Sequence, residues 1–594
     1  MTVAGGVLQS DFSNARSHPQ QYETRMPLLA LSSRGLTLAD HVVIGVYLAC
    51  MLIMGLKIAF RQRSTDDFFV GGRNLPAWAV GISLLASLLS TITYLGMPGE
   101  MFRTGLGFLT RQLGVPIVLV IVWFVFLPFF MKLKLTSAYE YLERRFNYST
   151  RALAAVFCIL LLLGWMSVVV LTASRAMAEI ALLDLDWFFG VNHPATDSSP
   201  EYRDADLHAL ILSIGLFSVF YTTLGGLRAV VWTDVVQFFI LVAGAIYTIW
   251  HIASVTDSGM TDWLASFQAY PHRESVEWFS WDIGDRSTIC FITVGMAFWF
   301  ICTHGANQVA LQRYFAVKDL WAARWSYLVS AIASFGLGVL LAGVGLSLLY
   351  FIRLPEHNLP AKSRLEAAVP VNADAAQKES LQKTRHEAQD KIFPQFISIY
   401  LPAGMRGLVV AALFAAAMST IDSGANSIST IITVDFARKF LKEKSPESGE
   451  LKLARGLTAT MGIVIVAVTI FLYHLNKGSD IISLTQKGFN CFLGPLGALF
   501  VLGMFSKRAT AATVIPAVLL GEAVGVGSSY SMELFGKPFS THLVVPASWL
   551  VTIVSCHVLN ILFQTRASED QSRWLWKAVV KSPGEPKAER PRVN

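Results

Sequence analysis

AWAVGISLLASLLSTITYLGMPG, from Ala77 to Gly99, is the stretch that decides the fold. Most of it is apolar enough to cross a bilayer as a helix. Yet Ala86, Ser87, Ser90, Thr91 and Thr93 lie inside it, and it runs into Gly96-Met97-Pro98-Gly99. Backbone amides have no water to bond in hydrocarbon, so a membrane helix unwinds only where its backbone lines a cavity or is buried in protein. Small polar residues beside Gly and Pro in mid-span therefore predict a broken helix. A second block, from Ile289, runs into Thr303-His304-Gly305-Ala306-Asn307-Gln308. The two interruptions lie five helices apart, the spacing of an inverted repeat of five helices plus five. Gly and Pro are also ordinary residues of membrane helices, and that plainer explanation stands beside the first.

The rest of the chain has the composition such a fold needs. Of 594 residues, 54% are hydrophobic and 15% are charged, and the mean hydropathy is +0.51. Soluble domains carry about a quarter charged residues. Apolar blocks of spanning length occur at Val42–Phe60, Ala77–Leu95, Val115–Met131, Ala152–Ile180, Leu207–Leu224, Ala229–Ile252, Ile289–Val309, Trp325–Ile352, Gly407–Val434, Leu457–Tyr473, Ile481–Met504, Ala511–Val526 and Leu543–Phe563. The expectation is an all-α membrane protein of about 13 transmembrane helices. Its five-plus-five inverted-repeat core would cover about 77–252 and 289–504, with the first and sixth core helices broken.

The net charge of +7 does not point to nucleic acid, because the bases sit in short loops between apolar blocks. One alternate set of loops holds Arg61, Arg63 and Arg73, then Lys132, Lys134, Arg144, Arg145 and Arg151, then Arg228, then Arg313, Lys318 and Arg324, then Arg438, Lys439 and Lys442, then Lys507 and Arg508. The loop after Ile180 is acidic instead. The positive-inside rule puts residues 1–41 outside as an extracellular tail and residues 564–594 in the cytoplasm, flanking a transmembrane domain over 42–563 in the plasma membrane. The polar segment 353–391 reads as an extracellular excursion, partly helical or disordered. All six cysteines lie in apolar blocks with no metal-ligand spacing, and no nucleophile–base pair appears, so enzymatic chemistry is not expected. Residues 1–40 lack the apolar core of a cleavable signal.

The densest polar cluster is Ala416-Ala417-Met418-Ser419-Thr420-Ile421-Asp422-Ser423-Gly424-Ala425-Asn426-Ser427. Helical spacing places Ala416, Ser419, Thr420 and Ser423 on one face. Hydroxyls and free carbonyls are hard neutral ligands that suit a small monovalent cation. The same residues also pack helices together. Asp422 lies deep in that block, and an intramembrane carboxylate is by default a functional residue. Asp234 lies nearer an edge, where an ion pair with Arg228 is the structural alternative.

Several stretches together resemble the sodium:solute symporter family, the group of sodium-coupled glucose, proline, sialic acid, iodide and monocarboxylate carriers. They are Asp66-Asp67-Phe68-Phe69-Val70-Gly71-Gly72-Arg73, Thr136-Ser137-Ala138-Tyr139-Glu140-Tyr141-Leu142-Glu143-Arg144-Arg145-Phe146, Gly225-Gly226-Leu227-Arg228-Ala229-Val230-Val231-Trp232-Thr233-Asp234, Asn307-Gln308-Val309-Ala310-Leu311-Gln312-Arg313 and Met418-Ser419-Thr420. The wording is nearest the monocarboxylate and vitamin branch. The resemblance implies a sodium site made by the carbonyls of Ala86, Leu89 and Ala416 and the hydroxyls of Ser419 and Thr420. It implies a second cation site, present in some members, at Asp234, Ser419, Asp422 and Ser423. A serine is usual where this chain has Asp422, so a proton or a cationic group is the competing occupant there.

The positions that bind sugar in the sugar carriers correspond here to Thr93, Phe300, Thr303 and His304. Lys487 stands where a glutamine is common. A lysine facing the cavity would suit a carboxylate; one that snorkels to the surface would not touch the solute. The implied function is sodium-coupled symport of a small organic solute, with Na+ as coupling ion and a carboxylate as one substrate class. A sugar or polyol symporter is the alternative, and a non-transporting sensor or channel on the same fold is the alternative of another class.

Overall fold

The computed structural model describes residues 36–60, 62, 64–89, 91–181, 204–274, 276–284, 288–357, 359–367, 374–440, 447–475 and 481–582. These residues form helices and connecting turns, with no strand among them. Ten helices are long and apolar enough to cross a membrane, and three shorter apolar helices accompany them, Ala77–Leu88, Leu207–Phe220 and Asn490–Phe505. The thirteen expected blocks are therefore not reproduced span for span.

The chain enters through α1 (Leu38–Ala59), capped by a reciprocal bond between Thr37 and Asp40. Asp40 is fully buried, and its Oδ1 accepts the amides of Gly404 (2.7 Å) and Gly407 (2.8 Å). It thus serves two free amides at the start of a distant helix, which otherwise lack partners. The first broken helix follows as α2 (Ala77–Leu88) and α3 (Thr91–Thr104). Leu89 between them is extended, with φ −88° and ψ 110°. The break thus precedes Gly96-Met97-Pro98-Gly99, where the sequence pattern suggested it, and α3 runs through that tetrad with Pro98 inside. The glycine there serves packing. A Cβ on Gly99 would lie 3.3 Å from the carbonyl oxygen of Gln389.

Next come α4 (Tyr148–Ala181) and α5 (Asp204–Thr256). The two arms of α5 meet at Gly226, whose φ of 52° and ψ of −164° only glycine adopts readily. The second broken helix is α6 (Ile289–Ala306) and α7 (Gln308–Phe315). Asn307 between them is extended, and its side chain caps the amide of Val309 at 2.9 Å. This break falls where the sequence placed it. Beyond lie α8 (Leu320–Arg353), α9 (Ala375–Tyr400), α10 (Met405–Ile431), α11 (Glu447–Leu475), α12 (Ile481–Phe505), α13 (Ala511–Ser529) and α14 (Val544–Leu562). The span built on α10 is 89% buried, the most enclosed of the ten. The polar segment 353–391 runs into α9, which continues to Tyr400 and packs against α3 and α4 rather than standing free.

A Cβ on Gly226 would also lie 2.6 Å from the carbonyl oxygen of Phe68. Gly226→Val is expected to lose roughly 1–3 kcal/mol from backbone strain alone. Thermal unfolding of the purified protein in detergent would show a lower midpoint, whereas Gly336→Ala, which meets nothing within 4 Å, should change little.

Candidate cation and solute site

The break after α2 meets α10 deep in the bundle. The hydroxyl of Thr420 lies 3.5 Å from the carbonyl oxygen of Leu89 and 3.0 Å from that of Ala416. Thr91 reaches across to the carbonyl of Leu413 at 3.4 Å. Because the helix stops at Leu88, carbonyls of its last turn lose their helical partners, and the negative end of its dipole faces the same point. Thr420, Leu89 and Ala416 thus converge as the sequence suggested, with Ala86 one turn back on α2 and buried. Ser419 is also buried but turns elsewhere: its hydroxyl donates to Asp234 Oδ1 at 2.5 Å.

Asp234 belongs to a network whose hub is Arg313. The expected partner Arg228 is replaced by this fully buried guanidinium, which lies 3.2 Å from Asp234 Oδ2. Arg313 also donates to Ser83 Oγ (3.0 Å), Ser423 Oγ (2.5 Å) and the carbonyl of Val309 (2.9 Å). Ser83 donates to Asp234 at 2.5 Å, and Ser87 and Ser423 share a hydrogen bond of 2.9 Å. Sequence reasoning counted Arg313 among the loop bases. The short stretch between it and the previous apolar block hid that α7 is the second half of a broken helix and lies wholly inside the protein.

The four positions of the second cation site consequently do not share one pocket. Asp234, Ser419 and Ser423 gather around Arg313. Asp422 faces away, toward the first arm of α5, where Ser218 and Thr222 each donate to its Oδ1 at 2.5 Å.

Beside the break, a cavity of about 330 Å³ is lined by Thr93, Phe300 and His304. Phe300 and His304 stack with ring centroids 6.1 Å apart, and His304 Nδ1 lies 2.9 Å from the Tyr314 hydroxyl. Thr303 is buried and does not line the cavity. Lys487 lies on α12, and its side chain lies outside the described residues. The cavity wall contains a cation that sequence reasoning missed. Arg111 stacks over Phe108 at 5.0 Å and forms no ion pair with any described carboxylate. The acid nearest it in sequence on this wall, Glu100, is bound to Arg103 at 3.4 Å. His386, Gln389 and Asp390 of α9 complete the lining.

The side chains of α7 tie it to neighbouring segments. Gln308 accepts the amide of Ala138 and donates to the carbonyl of Thr136, each at 2.9 Å. Gln312 donates to Phe69 O (2.5 Å) and Thr430 Oγ1 (3.0 Å) and accepts from Ser427 (2.8 Å). Among the described residues no group of three or more His, Cys, Asp or Glu could hold a metal ion.

The profile of the sodium:solute symporter family matches residues 68–188 and 204–521. The chain belongs to the sodium:solute symporter family. It is a multi-pass membrane transporter that couples sodium to solute symport. Relatives of this symporter include the sodium/sialic acid symporter of Proteus mirabilis, 28% identical over 83% of this chain and 90% of the relative. The sodium/glucose cotransporter of Vibrio parahaemolyticus is 28% identical over 85% of this chain and 86% of the relative. The human sodium-coupled monocarboxylate transporter 1 is 27% identical over 85% and 76%. Among solved structures, a substrate-bound outward-open Na+-coupled sialic acid symporter aligns over 89% of this symporter and 99% of that chain, with TM-score 0.72 and 26% identity. A nucleobase–cation symporter, with TM-score 0.50 and 12% identity, shares the fold alone.

Removing Arg313 would leave Asp234 as a buried, uncompensated charge. Arg313→Leu is expected to cost roughly 3–5 kcal/mol, and adding Asp234→Leu should restore much of that loss. The comparison is the unfolding midpoint and monodisperse yield of the single and double variants.

Proposed function

We propose that this symporter carries a small organic carboxylate into the cell, driven by sodium bound where Leu89 and Ala416 meet Thr420. The substrate class rests on one observation: the guanidinium of Arg111 stands in the cavity wall, forms no ion pair with a described carboxylate and meets Glu100 only through space. Arginine presents a planar fork that matches a carboxylate with two parallel bonds. The N-terminal end of α3 supports the same polarity. Thr93, in its first turn, lines the cavity, and the positive end of a half-helix in such folds faces anionic groups of the solute. Phe300, Trp299 and Trp165 supply apolar walls for the remainder of the molecule.

The sodium seat joins the carbonyls of Ala86, Leu89 and Ala416 to the hydroxyls of Ser419 and Thr420. Ser419 must then rotate from Asp234 toward the break. Sodium bound there holds α2, α3 and α10 in one arrangement and so stabilises the solute cavity beside them, which is the physical basis of coupling. The basic loops place the N-terminus outside and the C-terminus in the cytoplasm of the plasma membrane. In that orientation α9 lies on the outer side, and the Gln308, Gln312 and Arg313 contacts close the inner side. The conformation is then outward-facing. Release to the cytoplasm requires the α7 contacts to part as one bundle rocks on the other.

Two outcomes follow. Ser419→Ala and Thr420→Ala each remove a ligand oxygen and should raise the sodium concentration for half-maximal uptake, with little loss of folded protein. An unchanged sodium dependence in the double variant would assign both hydroxyls to packing alone. For the solute, a binding screen at saturating sodium over monocarboxylates, sialic acid, sugars, polyols and amino acids should select anions. Arg111→Gln should weaken the selected anion by about 10-fold or more, as loss of a charge-assisted bond predicts, while sodium affinity holds. Selection of a neutral sugar or polyol, bound equally by wild type and Arg111→Gln, would reject the carboxylate assignment.

A further inference from the structure

Beyond the last spanning helix, residues 564–582 fold back onto the face of the bundle that carries the α7 contacts. The turn after α14 is pinned to the end of α12: Thr565 Oγ1 donates to the carbonyl of Arg508 (3.0 Å) and the amide of Ala567 to that of Lys507 (3.1 Å). Farther on, the Trp574 carbonyl accepts the Tyr141 hydroxyl at 3.3 Å, and the Arg144 guanidinium lies over the Trp574 ring at 5.2 Å. A short helix, α15 (Trp576–Lys581), follows. The indole nitrogen of Trp576 donates to the carbonyl of Val125 at 2.8 Å, and its ring stacks on Phe505 at 6.3 Å. The end of α15 is held by Lys132, whose ammonium donates to the carbonyls of Val580 (2.6 Å) and Ser582 (2.8 Å). A cation there satisfies carbonyls that a helix end leaves without partners. Val579, between these two anchors, is fully buried.

These ties join two blocks. Val125 and Lys132 belong to the helical run 115–133. That run packs on the second broken helix. A Cβ on Gly305 would lie 2.7 Å from the Phe126 ring, and Phe130 meets Phe315 at 6.3 Å. Thr136 and Ala138, just past the run, hold Gln308 of α7. Tyr141, Arg144, Phe505, Lys507 and Arg508 belong to the other block. There Arg145 fastens its segment to the end of α12 through the carbonyls of Gly503 (2.9 Å) and Ser506 (2.6 Å). Phe129 meets Tyr141 across the seam edge-on at 4.9 Å. Ring contacts tolerate sliding, whereas hydrogen bonds weaken steeply when misaligned. The run is also irregular where Trp576 grips it: Val122–Phe126 is a π-helical turn just before Pro128, so its ladder is already interrupted.

We propose that residues 565–582 are a strap that holds the α7 side of the bundle closed, and that the strap must slip from Val125 and Lys132 before the α7 contacts can part. Trp576 is its pivot, since one side chain touches both blocks. The strap rests on the alternating-access reading above and adds a brake to it. Its bonds are lost together with those of Gln308, so they favour the closed arrangement and slow the step that releases solute on this side.

The test is the distance between two spin labels in the full chain, reconstituted in lipid nanodiscs without sodium or solute. The labels sit on Ser149→Cys, at the exposed start of α4, and Lys318→Cys, exposed just past α7. The exposed native Cys50 is replaced by Cys50→Ser. Trp576→Ala and Lys132→Met cut the strap from opposite sides. Each should raise the ratio of longer to shorter distances by about 10-fold, the scale of one or two lost hydrogen bonds. Trp576→Phe keeps a ring over Phe505 but lacks the N–H, and should fall between. A ratio unchanged in both Trp576→Ala and Lys132→Met would overturn the proposal. So would a change in Trp576→Ala alone, which would trace to the Phe505 stack. A broad, featureless distribution in both variants would also overturn it, because the strap would then only support the fold. Repeating the measurement with sodium separates the strap from the transport cycle. A ratio that sodium shifts and the strap variants do not keeps the cycle and rejects the strap.

Discussion

The buried guanidinium of Arg313 is the constraint around which the molecule is arranged. It bonds Ser83 on α2, Asp234 on α5, Ser423 on α10 and the carbonyl of Val309 on its own helix. Each partner comes from a different segment, and none can move alone without stranding a charge in a region that excludes water. Buried charges are tolerated only when paired and fully bonded. The network therefore fixes where α7, the second half of the second broken helix, sits against the first. Gln308 and Gln312 add further bonds from the same helix to Ala138, Thr136, Phe69, Thr430 and Ser427.

The two helix breaks have complementary electrostatics. At the first, α2 ends and α3 begins within the core, so free carbonyls and the start of a helix dipole lie side by side. A cation is favoured at the carbonyls and an anion at the new N-terminus. The proposed pairing of sodium with a carboxylate solute thus uses both halves of one broken helix. At the second break, Asn307 caps Val309 itself, and in the proposed orientation the bonds of α7 form a polar latch on the cytoplasmic side. Opening that latch costs several hydrogen bonds at once, which suits a two-state switch better than a graded one.

Much of this was legible in the sequence. The apolar blocks and their basic loops set the membrane class, and the stretch from Thr303 to Gln308 that read as an interruption contains the second break at Asn307. Thr420 and its meeting with the first broken helix followed from helical spacing and the family resemblance. Other features were hidden for physical reasons. Gly96 to Gly99 looked like a break because glycine and proline serve both unwinding and close packing, and only the neighbour at Gln389 decides between them. Arg313 looked like a loop base because α7 is only eight residues long. Arg111 carried no signal, since an arginine near a span end is ordinary until its lack of a partner is seen. Asp422 was noticed, but its direction, toward Ser218 and Thr222 rather than Asp234, depends on which helix packs on which face.

The central claim is that sodium binds between the broken α2–α3 helix and α10. A structure determined in saturating sodium, at a resolution that places ions, tests it most directly. The account predicts one ion coordinated by the carbonyls of Ala86, Leu89 and Ala416 and the hydroxyls of Ser419 and Thr420, at about the 2.3–2.6 Å typical of hard cations with oxygen ligands, with Ser419 turned away from Asp234. Saturating sodium with no ion at that junction, and Ser419 still bonded to Asp234, would contradict it.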